Sequence, residues 1–434
     1  VAVIEWRRVH VTGVAGVGMS AVAQAALGVG LSVSGSDRYH DGGEALPVLG
    51  QLAHAGVALF PQDGSGVRAG AEAVIVSTAI EAGNPDVLAA ASAGVPVLHR
   101  SELLARLAEG RTCLAVAGTC GKSTVTGMAG WILEQAGLDP TVVNGAPVAN
   151  WQSGTCIGNV RIGGDLWLIE ADESDRSLLN YAPRHAVITN MSADHFDAAE
   201  TRRVFEAFRS RVSGCCMGAL EGAAYLDGVA PEVGAGGSRF DFRGETFRLA
   251  LPGAHNVENA LHAVMLCELA GVSIAQSAAA LATFRGIHRR LEVVGRVDGV
   301  TVIDDYAHNP AKIAAALAAV LPFAGRVAVV WRPHGYGPLR SMLDGLAAAF
   351  APLRGGRHRL LLLPVYDAGG TADRSIGSDV LAARLTADGV AAACVADYDA
   401  VRQELHASAL KAGDAVLVMG ARDPGLPLLA RTCL

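Results

Sequence analysis

Lysine is nearly absent from this chain. Only Lys122, Lys312 and Lys411 occur among 434 residues, and every other basic side chain is an arginine. Codon bias in a GC-rich genome accounts for the composition as a whole. Yet one of the three lysines stands in a glycine-rich loop, where a flexible ammonium fits and a planar guanidinium has the wrong shape. Charge is also sparse: charged residues make up 18%, which argues against large disordered tails. A basic excess is missing as well, because the net charge is −7 and the isoelectric point is near 6.0. That excludes the basic face of a dedicated nucleic-acid binder. The longest apolar runs are broken by Gly, Asp or Arg well before the ~20 residues of a membrane span. The first residues lack the basic-then-apolar pattern of a signal peptide. The eight cysteines are scattered, with Cys215 and Cys216 adjacent and no C-x-x-C pair. They read as buried thiols of a reducing compartment, not as a disulfide framework or zinc site. The expectation is a cytoplasmic protein with no nucleic-acid and no membrane partner.

What the chain does have is apolar residues, 51% of the total, enough for several cores. On a prior of roughly 150 residues per domain, three domains are expected. Strand-length apolar runs recur at Val9–Val14, Ala73–Val76, Leu114–Ala117, Leu166–Ile169, Ala186–Thr189, Val300–Ile303, Val327–Val330, Leu360–Leu363 and Ala415–Val418. Helix-like runs lie between them, such as Met19–Leu27, Thr124–Ala136, Asn256–Leu269 and Ala311–Leu321. This alternation predicts an α/β chain of parallel sheets with helices on both faces. Breaks near Ser101–Arg111 and Arg290–Val297 divide it into domains 1–106, 107–291 and 292–434. Gly234–Gly237 reads as a surface turn.

The run from Ala115 to Thr124, Ala-Val-Ala-Gly-Thr-Cys-Gly-Lys-Ser-Thr, follows a strand and opens a helix. That is the setting of a phosphate loop. Gly118 and Gly121 let the backbone turn its N–H groups, with Thr119 between them, toward an anion. The helix that starts near Ser123 and Thr124 adds its positive end. Lys122 would reach the β- and γ-phosphates, and the Ser123 hydroxyl would coordinate Mg²⁺. The loop is the short G-T-x-G-K-S form, since Val116 stands where the longer pattern has its first glycine. A tight strand–helix turn with no ligand is the competing reading. An Mg²⁺–ATP site also needs carboxylates across from the loop. Glu170, Asp172, Glu173 and Asp175 follow the apolar strand Leu166–Ile169, with Ser174 among them. Glu170, at the strand's end, is the metal candidate, because parallel sheets place ligands there. A second strand runs into Asn190, Asp194 and His195. His255 and Asn259 lie four apart and share one helical face; capping by Asn256 competes with a ligand role there.

In their order these motifs resemble the Mur ligase family, over nearly the whole chain. His10-Val-Thr-Gly13-Val-Ala-Gly16-Val-Gly18-Met19-Ser20 is similar to the family's N-terminal glycine loop, and Ser34-Gly-Ser36-Asp37 to its second uridine-side motif. Ser77-Thr-Ala-Ile80, Asn84-Pro85 and Pro96-Val-Leu-His99-Arg100-Ser-Glu102 resemble first-domain signatures. The G-T-x-G-K loop, the E-A-D-E-S-D run, the T-N-x-x-A-D-H-x-D run and the H-N-x-x-N run resemble the central domain. Arg289-Arg290-Leu-Glu292, Asp304-Asp305-Tyr306-Ala307-His308-Asn309-Pro310 and Pro333-His334-x-Tyr336 resemble the last domain.

The resemblance implies a Rossmann-like N-terminal domain for a UDP-sugar, a central P-loop ATPase domain with a mostly parallel sheet, and a Rossmann-like C-terminal lid for the amino acid. The implied reaction is ATP-dependent formation of an amide between the carboxylate of UDP-N-acetylmuramate and L-alanine, through an acyl phosphate, in peptidoglycan precursor synthesis. ATP and Mg²⁺ are the implied cofactors. The partners are small molecules, UDP-N-acetylmuramate and an amino acid, acting on a monomer or weak homodimer. By the same resemblance Lys122, His195 and His308 are catalytic, with the two histidines as candidates to take the amine's proton. Ser123, Glu170 and His195 hold metal. His255, Asn259, Arg290 and Asp305 face the nucleotide together with the loop. Gly13, Gly16, Gly18, Met19, Ser36, Asp37, Ser77, His99, Ser174, Tyr306 and His334 bind substrate. The chain departs from the family pattern at Ala15 for a glycine, Cys120 for a histidine, Ser123 for a threonine and Asn309 for a second histidine. Pro333-His-Gly-Tyr-Gly-Pro338 also lacks two arginines expected to hold the acceptor's carboxylate, for which Arg332, Arg340 or Arg422 could substitute. The departures leave room for a related ligase that adds another amino acid or a peptide. A nicotinamide-dependent oxidoreductase, suggested by Gly13-x-x-Gly16-x-Gly18 with Asp37 about 20 residues later, and a catalytically silent relative are the remaining alternatives.

Overall fold

A computed structural model describes residues 5–43, 46–191, 197–234, 236–367, 373–421 and 423–434. Three sheets dominated by parallel strands carry the architecture, as the strand–helix alternation predicts. The first has the order β3-β2-β1-β4-β5 and is parallel throughout. Its strands are β1 (Arg8–Thr12), β2 (Ser32–Ser36), β3 (Ala58–Phe60), β4 (Ala73–Val76) and β5 (Val97–His99). The order reverses between β1 and β4, the switch point at which doubly wound sheets open a crevice beyond the strand ends. β1 stops at Thr12, two residues before the apolar run does, because Gly13 turns the chain at φ +74°.

The second sheet has the order β11-β10-β6-β9-β7-β8. It comprises β6 (Thr112–Ala117), β7 (Thr141–Val143), β8 (Val160–Arg161), β9 (Leu166–Glu170), β10 (His185–Ile188) and β11 (Cys216–Gly218). Only β8, at the edge, runs antiparallel. β6 lies between β9 and β10, so whatever follows those three strands converges at one edge. Three short strands come next: β12 (Glu232–Gly234), β13 (Gly237–Phe242) and β14 (Glu245–Leu249). β12 pairs antiparallel with β13, with Gly234 opposite Gly237, and Ala235 of the expected Gly234–Gly237 turn lies outside the described residues.

The last sheet has the order β15-β16-β20-β17-β18-β19, from β15 (Glu292–Val297), β16 (Val300–Asp305), β17 (Val327–Trp331), β18 (Arg359–Leu362), β19 (Ala392–Cys394) and β20 (Ala415–Met419). β15 pairs antiparallel with β16, and the rest are parallel. Its central strands are buried on both faces: Val327, Val329 and Trp331 of β17 enter one core, Ala328 and Val330 the other. That is the signature of a parallel sheet covered by helices on either side.

The described residues form two compact units. One holds Val1–Val229, Asp241–Phe247 and Glu258–Ile287, and so contains the first two sheets. The other holds Ala230–Phe240, Arg248–Val257 and His288–Leu434. Within the first unit a continuous core runs from Val9 and Val11 of β1 to Trp167, Ile169, Ala186 and Ile188 of the second sheet. The helix Arg100–Ala108 lies in that core and buries Leu103, Leu104 and Leu107. Each contributes about 1.5–3 kcal/mol. The cysteines are all free, but only Cys113, Cys267 and Cys433 are buried. Cys156 and Cys215 are exposed in connections, and Cys394 is exposed at the end of edge strand β19, so proximity to apolar runs misplaced them.

Candidate active site

The loop between β6 and the helix Lys122–Gln135 is shaped by two glycines and one asparagine. Gly118 and Gly121 have φ of +131° and +84°, where a side chain is strained. Space forbids one too: a Cβ on Gly118 would lie 2.1 Å from Thr189 Oγ1, and one on Gly121 2.4 Å from Asn259 Oδ1. Asn190, just past β10, fastens the loop from below. It accepts from Thr119 Oγ1 at 2.6 Å and Cys120 N at 2.9 Å, and donates to Cys120 O at 2.9 Å. Its amide therefore shapes the loop instead of reaching into the site. Gly121 supplies no side-chain cap to the helix. The N–H groups of the first turn, at Lys122, Ser123 and Thr124, are thus available to an anion.

Lys122 Nζ donates to Gly118 O at 2.8 Å and to Glu173 Oε2 at 2.6 Å, and lies 3.8 Å from Asp172 Oδ1. Burial works against its charge, but Glu173, Asp172 and Glu170 together outweigh burial and raise its pKa. Ser123 Oγ donates to Glu170 Oε1 at 3.1 Å. Glu170 Oε2 accepts from Gly145 N at 2.7 Å, where a side chain on residue 145 would collide with the carboxylate. A hydroxyl and a carboxylate oxygen side by side, next to a loop open to phosphate, fit Mg²⁺. That ion takes one or two protein oxygens and fills its octahedron with phosphate and water. Among the described residues no group of three or more His, Cys, Asp or Glu could make an all-protein cage. His195 and Asp194 lie outside the described residues. Asn259, buried on the helix Ala254–Glu268, stands behind Gly121. That helix begins at Ala254, which puts Asn256 inside it, with its amide donating to Pro252 O at 2.8 Å. His255 shares the helix, and burial lowers its pKa.

At the first sheet's switch point, Gly16 precedes the helix Val17–Gly28 without a side-chain cap. Gly13, Gly18 and the buried Met19 form the same turn, and Ser77 follows β4 across the crevice. Other candidates here are turned inward. Ser36 Oγ donates to Asp86 Oδ2 at 2.5 Å, and Thr12 and Gly64 N also donate to that buried carboxylate. Burial would raise the pKa of Asp86, but His10, Ser36 and Gly64 hold it low. Asp37 accepts from Ala15 N at 2.9 Å and Tyr39 N at 3.0 Å, one on each oxygen, which counts against a ribose contact of the nicotinamide type. His99 caps the helix Arg100–Ala108 through Ser101, and its Nε2 lies 3.5 Å from Asp175 Oδ2. Ser174 is half-buried, with its N–H on Asp172. Arg100, at the head of that helix, reaches Asp172 at 3.4 Å and Asp175 at 3.2 Å.

The second unit gathers the remaining candidates. Asp305 accepts from Leu291 N at 2.7 Å and Ala307 N at 2.8 Å, and burial raises its pKa. The guanidinium of Arg290 lies 5.6 Å from the Tyr306 ring. Tyr306 and His308 meet edge to face at 5.5 Å, and His308 and His334 at 4.8 Å. His308 Nδ1 bonds Tyr306 O, and burial pushes its pKa down to about 3. A base so weak is mismatched to proton abstraction near neutral pH. Asn309 is the N-cap of the helix Pro310–Val320. Arg332 is held by Asp423, Tyr398 and Pro364 O, and Arg340 by Ser375 and Asp373, while Arg422 lies outside the described residues. Sequence reading missed Glu173 as the partner of Lys122, Asp86 as the buried hub and the Gly145 N–H as a donor to Glu170. Only Glu173 carried a signal, its place in an acidic run after a strand.

Comparison with known proteins covers most of the chain. Residues 8–112 match the Mur ligase family catalytic domain, 116–211 the Mur ligase middle domain, and 289–422 the Mur ligase glutamate ligase domain. A UDP-N-acetylmuramate–L-alanine ligase of Arthrobacter sp. (strain FB24) is 38% identical, over 91% of this chain and 88% of its own length. One of Gloeobacter violaceus is 35% identical, over 95% and 92%. The crystal structure of the UDP-N-acetylmuramate-alanine ligase of Thermotoga maritima superposes with a TM-score of 0.78 at 24% identity, covering 98% of this chain and 97% of that one. A murein peptide ligase of Psychrobacter arcticus does so at 0.64 and 22%, with the same coverage. With its phosphate loop, its facing acids and its three matched domains in order, the chain belongs to the Mur ligase family.

Proposed function

We propose that this protein is an ATP-dependent ligase that joins L-alanine to the carboxylate of UDP-N-acetylmuramate, in the cytoplasm, as a monomer or weak homodimer built of the domains 1–106, 107–291 and 292–434. The observation that carries the reading is the cradle of Lys122, Ser123 and Glu170 around the uncapped first turn of the helix Lys122–Gln135. The names of its full-length relatives supply the substrates.

The reaction passes the γ-phosphoryl group of ATP to the sugar carboxylate, and the amine then displaces phosphate from the acyl phosphate. Gly118, Thr119 and Gly121 shape the bed of the triphosphate. Lys122 and the N–H groups of Ser123 and Thr124 offset the charge that spreads over the transferring group. Such catalysis is positioning and electrostatics more than covalent chemistry. Ser123 and Glu170 would hold one Mg²⁺, and His195 a second. Bound there, the metal would supply charge neutralisation for the transferring phosphoryl group. Asn259 buttresses the loop. The uncapped N-terminus of the helix Val17–Gly28, with Gly13, Gly16, Gly18 and Met19, takes the diphosphate of the sugar nucleotide. Ser36, Asp37 and His99 support that turn from behind, and Ser77 and Ser174 line it. By the family resemblance His255, Arg290 and Asp305 serve the nucleotide, and Tyr306 and His334 the amino acid. His308, whose Nδ1 bonds Tyr306 O, stands between the Tyr306 and His334 rings and orients them.

One observation favours a second reading, a ligase with another acceptor. Neither Arg332 nor Arg340 is free to replace the arginines absent from Pro333–Pro338, because each is engaged by protein partners. Phosphate release with UDP-N-acetylmuramate, ATP and Mg²⁺ against a panel of amino acids and short peptides separates the two. L-alanine is the expected acceptor. Release with a peptide alone would establish the second reading, and none with any amine would end both.

A further inference from the structure

The acidic run behind the phosphate loop contains a carboxylate that no step above uses. Glu173 is 2% exposed. Its Oε2 accepts from Lys122 Nζ at 2.6 Å, and its Oε1 is buried with no hydrogen-bond partner. Asp172, the other acid beside the ammonium, is differently placed. It is a third exposed, has Arg100 at 3.4 Å and accepts from Ser174 N at 3.3 Å. If Lys122 moved away, Asp172 would keep a cation, whereas Glu173 would have none.

The ammonium is held on two sides by protein groups, Glu173 and the Gly118 carbonyl. A triphosphate entering the cradle must draw it off the carboxylate. What stays behind is a buried acid without a counter-ion, a state that proteins relieve by protonation. The bare Oε1 has room for that proton. Burial already biases Glu173 toward its neutral form, against the pull of Lys122. The charged groups facing it are Lys122 from the helix and Asp172 beside it, with Arg100, Asp175 and Glu170 beyond them.

We propose that Glu173 is a positioning residue that holds the Lys122 ammonium in the resting loop and yields it to the triphosphate, taking up a solvent proton as it does so. The proposal rests on Lys122 as the phosphate-binding lysine. One ammonium–carboxylate contact breaks, one ammonium–phosphate contact forms, and Lys122 stays charged. One proton moves from solvent to Glu173, and no covalent bond to carbon or phosphorus changes. Nucleotide affinity then falls as pH rises, because the released carboxylate must find its proton in a thinner supply.

The test is calorimetry of a non-hydrolysable ATP analogue with Mg²⁺ and the full chain, in two buffers of different ionisation heat. The pH is set above the last ionisation of the triphosphate. The wild type is expected to take up on the order of one proton per nucleotide. Glu173→Gln is expected to take up close to none and to bind with an affinity that no longer declines with pH. Asp172→Asn should keep the uptake. Equal uptake in the wild type and Glu173→Gln overturns the proposal. So does absence of uptake in the wild type, which can be read even if the variant fails to fold. A wild type that binds no nucleotide at all overturns the assignment of Lys122 itself.

Discussion

At the scale of single residues, the site depends on small groups where a larger one would not fit. Gly118 and Gly121 are boxed in by Thr189 and Asn259, and Gly145 by Glu170. Ser123 carries the hydroxyl beside Glu170 and is 5% exposed. Removing that oxygen in Ser123→Ala leaves Glu170 with Gly145 N alone. The Mg²⁺ needed for half-maximal rate should rise by about 10–100-fold, in the range seen when a metal's supporting contacts are lost. Ser123→Thr keeps the oxygen and should stay close to wild type. A magnesium titration of the steady-state rate checks both, and an unchanged requirement in Ser123→Ala would remove the serine from the ligand set. Gly118, Gly121, Lys122 and Ser123 were legible in the sequence, because a glycine, a lysine and a hydroxyl at fixed spacing have few other uses, whereas Gly145, outside any such spacing, was not. Side-chain direction was not. Ser36 and Asp37 sit in the expected motif, yet both are turned onto protein partners, and Asp86, which gathers Ser36, Thr12 and His10, lies 50 residues from Ser36. Asn309, which stands where the family pattern has a second histidine, caps a helix.

At the scale of elements, the helix Ala254–Glu268 acts as a brace. Asn259 stands against Gly121, and one turn later His262 bonds Tyr225 Oη at 2.6 Å and approaches the Thr189 backbone beside the loop. Burial pushes the pKa of His262 down to about 4, well below its ordinary value near 6.5. Between those values the unfolded chain binds a proton that the folded chain refuses. The stability that His262 contributes is therefore fully present above about pH 6.5 and is lost as pH falls toward the folded value, at up to about 1.4 kcal/mol per pH unit. Urea unfolding of the wild type and His262→Gln across this range checks the sign. The variant should lose stability less steeply on acidification, and parallel slopes would show that His262 is charged in the folded protein. Elements with long apolar runs were readable: Ala73–Val76 is β4 as expected, and Val300–Ile303 extends only to Asp305. β2 was invisible to that criterion because its sequence, Ser-Val-Ser-Gly-Ser, is mostly polar.

At the scale of the whole molecule, three α/β domains with their motifs in order were legible, because parallel sheets demand continuous apolar strands and place polar residues at the strand ends. The acceptor was not. Arg332 and Arg340, named from the sequence as candidates to hold its carboxylate, are engaged by acids and hydroxyls that no spacing rule connects to them. In the proposed function the chemistry rests on one ammonium, that of Lys122. The decisive measurement compares the wild type with Lys122→Met, both checked by circular dichroism, for ADP formed and sugar nucleotide extended with UDP-N-acetylmuramate, ATP, Mg²⁺ and L-alanine. Wild type should form the two products in equal amounts, and Lys122→Met should form both more slowly by on the order of 10³-fold. Undiminished turnover in a folded Lys122→Met protein would contradict the assignment of the phosphate cradle.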